Sequence, residues 1–92
     1  MRTAEEIKQA IEQLKEIKPK VRKMTAFGDD NHAAIEAQIL VLTETMTEDQ
    51  IWDEWPEDSN SHERIRDNAL DAYNWMTGER DILVEDWRPL AK

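Results

Sequence analysis

Apolar residues recur at steps of three and four along most of this chain, which is the spacing of one face of an α-helix. The stripe runs from Ile7 to Met24, and similar stripes lie between Ala34 and Met46 and between Ile65 and Met76. The chain has 92 residues, which is the length of one small domain. The pattern therefore predicts a single all-α domain over residues 1–92, a small helical bundle of three main helices plus one short helix with a C-terminal extended tail.

Capping residues and helix breakers set the predicted boundaries. Thr3 with Glu6, and Thr47 with Gln50, have the spacing of a capping box. Residues typical of helix ends follow the apolar stripes: Pro19, Pro56 and Gly78. We predict helices over about residues 3–18, 30–46, 48–55 and 61–77, and a tail over residues 79–92. We expect Ile82, Val84 or Trp87 to hold this tail against the bundle.

Charge is distributed unevenly along the chain. Residues 24–63 contain no Lys or Arg and carry eleven acids, whereas the whole chain has a net charge of −9. Such a field repels phosphate backbones and attracts basic partners. Residues 48–58 combine these acids with two tryptophans and predict an acidic and aromatic partner-binding surface, made of Glu48, Asp49, Trp52, Asp53, Glu54, Trp55, Glu57 and Asp58.

The two tryptophans of this segment have two interpretations. Trp52 and Trp55 could fill the small core, because large aromatic rings are mostly buried in folded proteins. They could instead anchor a basic partner inside an acidic rim, with carboxylates standing where the phosphates of a nucleic acid would be. A chain this small with four tryptophans is also a candidate homodimer that covers its remaining apolar surface.

A basic cluster precedes the acidic segment. Lys18, Lys20, Arg22 and Lys23 are candidates for a phosphate contact. The alternative is that these cations offset the end of the first helix and pair with the acidic segment. The net charge disfavours direct nucleic-acid binding.

Catalytic and cofactor motifs are absent from the sequence. Two glycines provide no phosphate-cradling loop, and carboxylates at helical spacing are explained as solvated charge. His32 and Glu36 would supply only two ligands to a metal. The chain lacks cysteine and a long apolar run. We therefore expect a non-enzymatic cytoplasmic protein without metal, cofactor or membrane contact.

Several segments together resemble a family of small acidic proteins from proteobacterial genomes and prophages. They are residues 19–23, 26–35, 38–42 and 69–75, with Gly78-Glu79, Asp86-Trp87 and Leu90. The family has no assigned activity, so the resemblance implies a mobile-element or accessory context and transfers no functional residue. Small acidic phage proteins include anti-CRISPR and anti-restriction inhibitors, and this analogy rests on size, charge and context.

Three functions remain open from the sequence. The first is a phage- or prophage-associated interaction module that engages a basic partner, as a nucleic-acid (DNA) mimic or an inhibitor of a host defence system. The second is a structural or oligomerising accessory domain whose acids serve solubility only. The third is a small nucleic-acid-binding protein that uses the basic residues between 15 and 23.

Overall fold

The computed structural model of the chain describes residues 1–57 and 60–91, and the side chains of all of these except residues 60 and 61. The described residues form four α-helices: α1 (Ala4–Ile17), α2 (Asn31–Glu44), α3 (Glu48–Glu54) and α4 (Asn60–Thr77). Short 3₁₀ helices cover Lys18–Lys20, Val84–Asp86 and Arg88–Leu90. Within the described ranges there is no extended strand, only two isolated antiparallel bridges. The predicted all-α class is confirmed.

Local hydrogen bonds account for the starts of three helices. The Thr3 hydroxyl accepts from the Glu6 N–H at 3.1 Å, and the Thr47 hydroxyl accepts from the Gln50 N–H at 3.2 Å. Both capping boxes are complete, as the sequence predicted. Asp30 caps α2 by accepting from a backbone N–H in the first turn at 3.0 Å. These side chains satisfy backbone donors that would otherwise lack a partner at a helix start.

Helix α2 is the central element of the core. It lies against α4 along most of its length, and α1 packs beside it. Ala34, Ala69 and Ala72 have no exposed surface, so small side chains allow α2 and α4 to approach closely. Large residues fill the remaining space and are fully buried: Leu14, Ile35, Leu42, Ile51 and Leu83. The core is thus contributed by all four helices and the tail.

The tail differs from the predicted extended conformation. It makes two 3₁₀ turns, and Leu83, Val84 and Trp87 are buried, whereas Ile82 is 43% exposed. The Trp87 indole Nε1–H donates to Gln38 Oε1 at 2.8 Å. Gln38 Nε2 in turn donates to the Asn68 carbonyl at 3.1 Å. This buried polar link joins the tail to α2 and α4, which a local sequence pattern does not reveal.

Candidate acidic interaction surface

Helix α3 is short, and Ile51 is its one buried side chain. Ile51 has no exposed surface, whereas Trp52 is 39% exposed. Glu48 and Asp49 occupy the first turn, where the helix dipole stabilises negative charge. Because only one side of α3 is buried, its other side chains project into solvent. We call the following residues the α3 surface: Glu48, Asp49, Trp52, Asp53, Glu54 and Glu57.

The carboxylates of the α3 surface are all exposed. Among the described residues, none of them forms an ion pair. Other acids of the cation-free segment do form ion pairs, since Lys18 pairs with Glu36 and Arg64 lies 3.9 Å from Asp29. Asp58, which the sequence placed in the same surface, lies outside the described residues. The unneutralised charge of this segment is therefore concentrated at α3.

Two of these acids occupy an electrostatically unfavourable position. Asp53 and Glu54 lie in the last turn of α3, which contains no basic residue. The carboxyl end of a helix carries partial negative charge, so an exposed acid there costs about 0.3–1 kcal/mol. The stability of α3 does not explain why acids stand at these two positions.

The two tryptophans take different roles. Trp55 is partly buried and packs against the core. The Trp52 ring lies 4.3 Å from the guanidinium carbon of Arg66, which is itself only 6% exposed. Arg66 Nη1 also donates to the Trp55 carbonyl at 3.0 Å, at the carboxyl end of α3. One buried cation therefore holds Trp52 by a cation–π contact and binds the end of the helix.

Sequence reasoning missed Arg66. The sequence did contain a signal. Arg66 stands three residues before Ala69, so it lies on the same face of α4 as the apolar residues that pack into the core. A cation on an apolar stripe needs a partner in the fold, and here the π-face of Trp52 and a backbone carbonyl are such partners.

An open depression adjoins the α3 surface, and we call it the Met46 depression. Its volume is about 380 Å³, and its lining residues are Glu44, Met46, Gln50, Asp53 and Glu54. Met46 is 8% exposed, so carboxylates surround a largely buried thioether. A flexible, polarisable thioether makes favourable contacts with aromatic rings, and the acids around it favour a cationic neighbour.

The basic cluster lies at the opposite end of α2. Lys18 pairs with Glu36, as the alternative interpretation predicted, whereas Lys20, Arg22 and Lys23 are exposed. The carbonyl of Lys23 accepts from the first N–H of α2 at 2.6 Å, while α3 follows the other end of this helix. The 14 residues of α2 span about 20 Å. The structure therefore does not bring the two predicted surfaces together.

His32 has a structural contact. Its Nε2 lies 2.8 Å from the Val21 carbonyl, so this nitrogen donates the hydrogen bond. Glu36, the other candidate ligand, pairs with Lys18. Within residues 1–57 and 60–91, no group of three or more His, Cys, Asp or Glu side chains is placed to hold a metal ion.

Comparison with known proteins adds no assignment. No family model, curated protein or solved structure matches this chain. No described helix is both long and apolar enough to cross a membrane.

Proposed function

We propose that this protein is a non-enzymatic interaction module that binds a basic surface of another protein through the α3 surface. One observation carries the proposal: five exposed carboxylates, without ion pairs inside the described chain, lie within five residues of a partly exposed tryptophan. A central aromatic anchor inside a charged rim is the arrangement that concentrates binding energy in protein interfaces.

Distance supports the electrostatic part of the proposal. Lys20, Arg22 and Lys23 lie beyond the far end of α2, about 20 Å from α3, whereas the Debye length at physiological salt is about 8 Å. Arg66 is the described cation that contacts α3, and its guanidinium faces the Trp52 ring and the Trp55 carbonyl. Lys20, Arg22 and Lys23 therefore contribute little to the local field at α3. That field attracts positive surfaces and accelerates their encounter with α3.

The arrangement of Trp52 supports the binding part. The Arg66 guanidinium lies over its ring, so the indole is held in place before a partner arrives. A preorganised side chain loses less conformational entropy on binding. The exposed part of Trp52 is thus suited to contact a partner at low entropic cost.

A protein that normally holds nucleic acid is the class of partner that this chemistry fits best. Its binding groove presents cations arranged for phosphates, and a row of carboxylates on a short helix offers charge of the same sign. The resemblance to prophage proteins supports a phage-associated setting. Inhibition of a host defence system follows from that setting by analogy.

Affinity capture followed by titration tests the proposal. Asp53→Lys with Glu54→Lys reverses two charges of the α3 surface, and Trp52→Ala removes the anchor. Glu12→Lys with Glu16→Lys makes the same charge change on α1 and serves as the matched control. Proteins captured by the wild type are purified, and their dissociation constants are measured at increasing salt.

We expect the α1 control to bind like the wild type. Loss of a central aromatic anchor costs 2 kcal/mol or more, so Trp52→Ala should weaken binding about 30-fold. The double α3 reversal should abolish binding, and the wild-type affinity should fall as salt rises. Unchanged binding by the double α3 reversal would refute the proposal.

A further inference from the structure

A second exposed feature lies close to Lys20, Arg22 and Lys23, beyond the start of α2. Phe27 is 94% exposed, more than any other large apolar side chain in the described chain. It lies in residues 24–30, which we call the Phe27 loop and which precede α2 in the connection from the 3₁₀ helix Lys18–Lys20. Next to it, Gly28 has φ +88°, a backbone conformation that glycine adopts readily. An almost fully exposed phenylalanine leaves apolar surface in contact with water, and this surface is available to a partner.

The Phe27 loop has an internal hydrogen-bond network. Thr25 N–H donates to the Asp29 carbonyl at 2.9 Å, and Gly28 N–H donates to the Thr25 carbonyl at 3.1 Å. The Thr25 hydroxyl oxygen accepts from the N–H groups of Phe27 and Asp29 at 3.3 and 3.0 Å. Four bonds within five residues hold the backbone beneath the phenylalanine.

The base of the loop is tied to α2 and α4. Asn31 is 4% exposed, and its side chain donates to the Arg22 carbonyl at 3.0 Å. Arg64 Nη2 donates to Asn31 Oδ1 at 3.3 Å, and Arg64 Nε lies 3.9 Å from Asp29. The loop therefore presents Phe27 from a fixed base, which lowers the entropic cost of using it in a contact.

Cations flank the phenylalanine. We use "basic end" for Lys20, Arg22, Lys23, Met24 and Phe27, all of which are exposed. The two acids of the loop have local partners, since Asp29 lies near Arg64 and Asp30 caps α2. The chemical character of this end is thus an apolar side chain beside positive charges.

The Met46 depression has the complementary character. Its opening is lined by Glu44, Asp53 and Glu54, with the largely buried Met46 beside them, at the other end of α2. Because about 20 Å of helix separates the two ends, a molecule cannot place Phe27 in its own depression. A second copy of the same chain can do so.

We infer that the protein self-associates head to tail, with Phe27 of one copy in the Met46 depression of the next and the flanking cations against Asp53 and Glu54. This inference rests on the function proposed for the α3 surface, and the basic partner that it assigns to that surface is a second copy of the same chain. The contact is heterologous, so it leaves a free basic end and a free α3 surface on every pair and extends into short chains. The net charge of −9 opposes association, so the contact is expected at high protein concentration and to compete with other basic partners.

Two variants that each lack one half of the contact test this inference. Arg22→Glu with Phe27→Ala removes the basic end, and both side chains are exposed, so the fold does not depend on them. Asp53→Lys with Glu54→Lys removes the acidic half. Sedimentation velocity up to about 1 mM protein spans the micromolar to millimolar range of dissociation constants.

The wild type should form species larger than a dimer as concentration rises, and each variant alone should remain monomeric. An equimolar mixture should restore association but stop at a 1:1 pair, because one variant retains the α3 surface and the other retains the basic end. Glu12→Lys with Glu16→Lys should associate like the wild type. A monomeric wild type at about 1 mM, or a mixture that stays monomeric, would overturn the inference.

The same proteins separate this inference from the proposed function. A monomeric wild type that still binds a captured basic protein through α3 refutes self-association and leaves the proposed function standing. Titration with a labelled single-stranded oligonucleotide tests whether the basic end binds nucleic acid instead of a second copy of the chain. Binding that is lost in the Arg22→Glu, Phe27→Ala variant, with a monomeric wild type, would assign this end to nucleic acid and overturn the inference.

Discussion

Neutralising Asp53 and Glu54 together, as Asp53→Asn with Glu54→Gln, should stabilise the protein while it weakens binding at the α3 surface. Both acids lie in the last turn of α3, where no basic residue is present. Asp49 lies four residues before Asp53 on the same helix, so this like-charge pair adds a further repulsion. The substitutions remove these repulsions and nearly preserve side-chain shape.

The expected gain follows from the positions of the charges. Each acid at the carboxyl end costs about 0.3–1 kcal/mol, and the Asp49–Asp53 pair costs about 0.2–0.5 kcal/mol. Their sum is about 0.8–2.5 kcal/mol at low salt, and screening lowers it toward about 1 kcal/mol at physiological salt. For a domain of this size, 1 kcal/mol shifts the Tm by about 4–8 °C. Arg66 opposes part of this gain, because its guanidinium lies at the carboxyl end of α3 and donates to the Trp55 carbonyl at 3.0 Å. Within the described chain it forms no ion pair with either acid.

Thermal unfolding at two salt concentrations measures this gain. The Tm increase should be larger at low salt than at physiological salt. The matched control lies in the same helix, because Glu48→Gln with Asp49→Asn removes two acids from the first turn, where the dipole favours them. That control should lower the Tm. A lower Tm for the Asp53→Asn, Glu54→Gln variant would show that these acids serve the fold, and would refute the reasoning.

Three further predictions concern the fold. Gln38→Met should leave the buried Trp87 Nε1–H without its acceptor and lower the free energy of unfolding by about 1–3 kcal/mol. Urea titrations check this, because Trp87→Phe should lower the free energy of unfolding less in the Gln38→Met variant than in the wild type. The pKa of Glu6 lies below its ordinary value of 4.5 because the Thr3 backbone N–H and hydroxyl donate to its carboxylate. This contribution is fully present above the unfolded-state pKa and is lost as pH falls through the folded-state pKa, so the wild-type Tm should fall more steeply than that of Glu6→Gln below pH 4.5. Burial raises the pKa of Asp71 above 3.8, against the attraction of Arg80. Ionised Asp71 therefore lowers the stability of the fold, and this penalty develops as pH rises through the unfolded-state pKa and then the raised folded-state pKa of the carboxyl. The stability of Asp71→Asn relative to the wild type should therefore increase from pH 3 to pH 6. An unchanged difference would contradict this prediction.

The helix boundaries were predictable because the interactions that set them are local. The capping boxes of α1 and α3 join residues three apart, and Gly78 ends α4 with φ +97°. Pro19 lies in the 3₁₀ turn directly after α1. Each of these signals lies within a few residues of the boundary that it sets.

The tail was not predictable in the same way. Its anchoring bond joins Gln38 to Trp87, which are 49 residues apart. Val84 and Trp87 were expected among the anchoring residues and are buried, whereas Leu83 is buried in place of Ile82. Adjacent apolar residues at the end of a chain carry no periodicity that would tell which one faces the core.

The sequence by itself determined where helices start and stop and where charge of each sign accumulates, because capping, turn geometry and residue charge belong to short stretches of chain. Only the tertiary structure decided that Trp52 lies partly exposed over Arg66, that Phe27 projects from a fixed loop, and that α2 separates the basic end from the α3 surface. These properties depend on which distant residues pack together. Packing selects the buried face of each element, and the faces it leaves uncovered are those available to a partner.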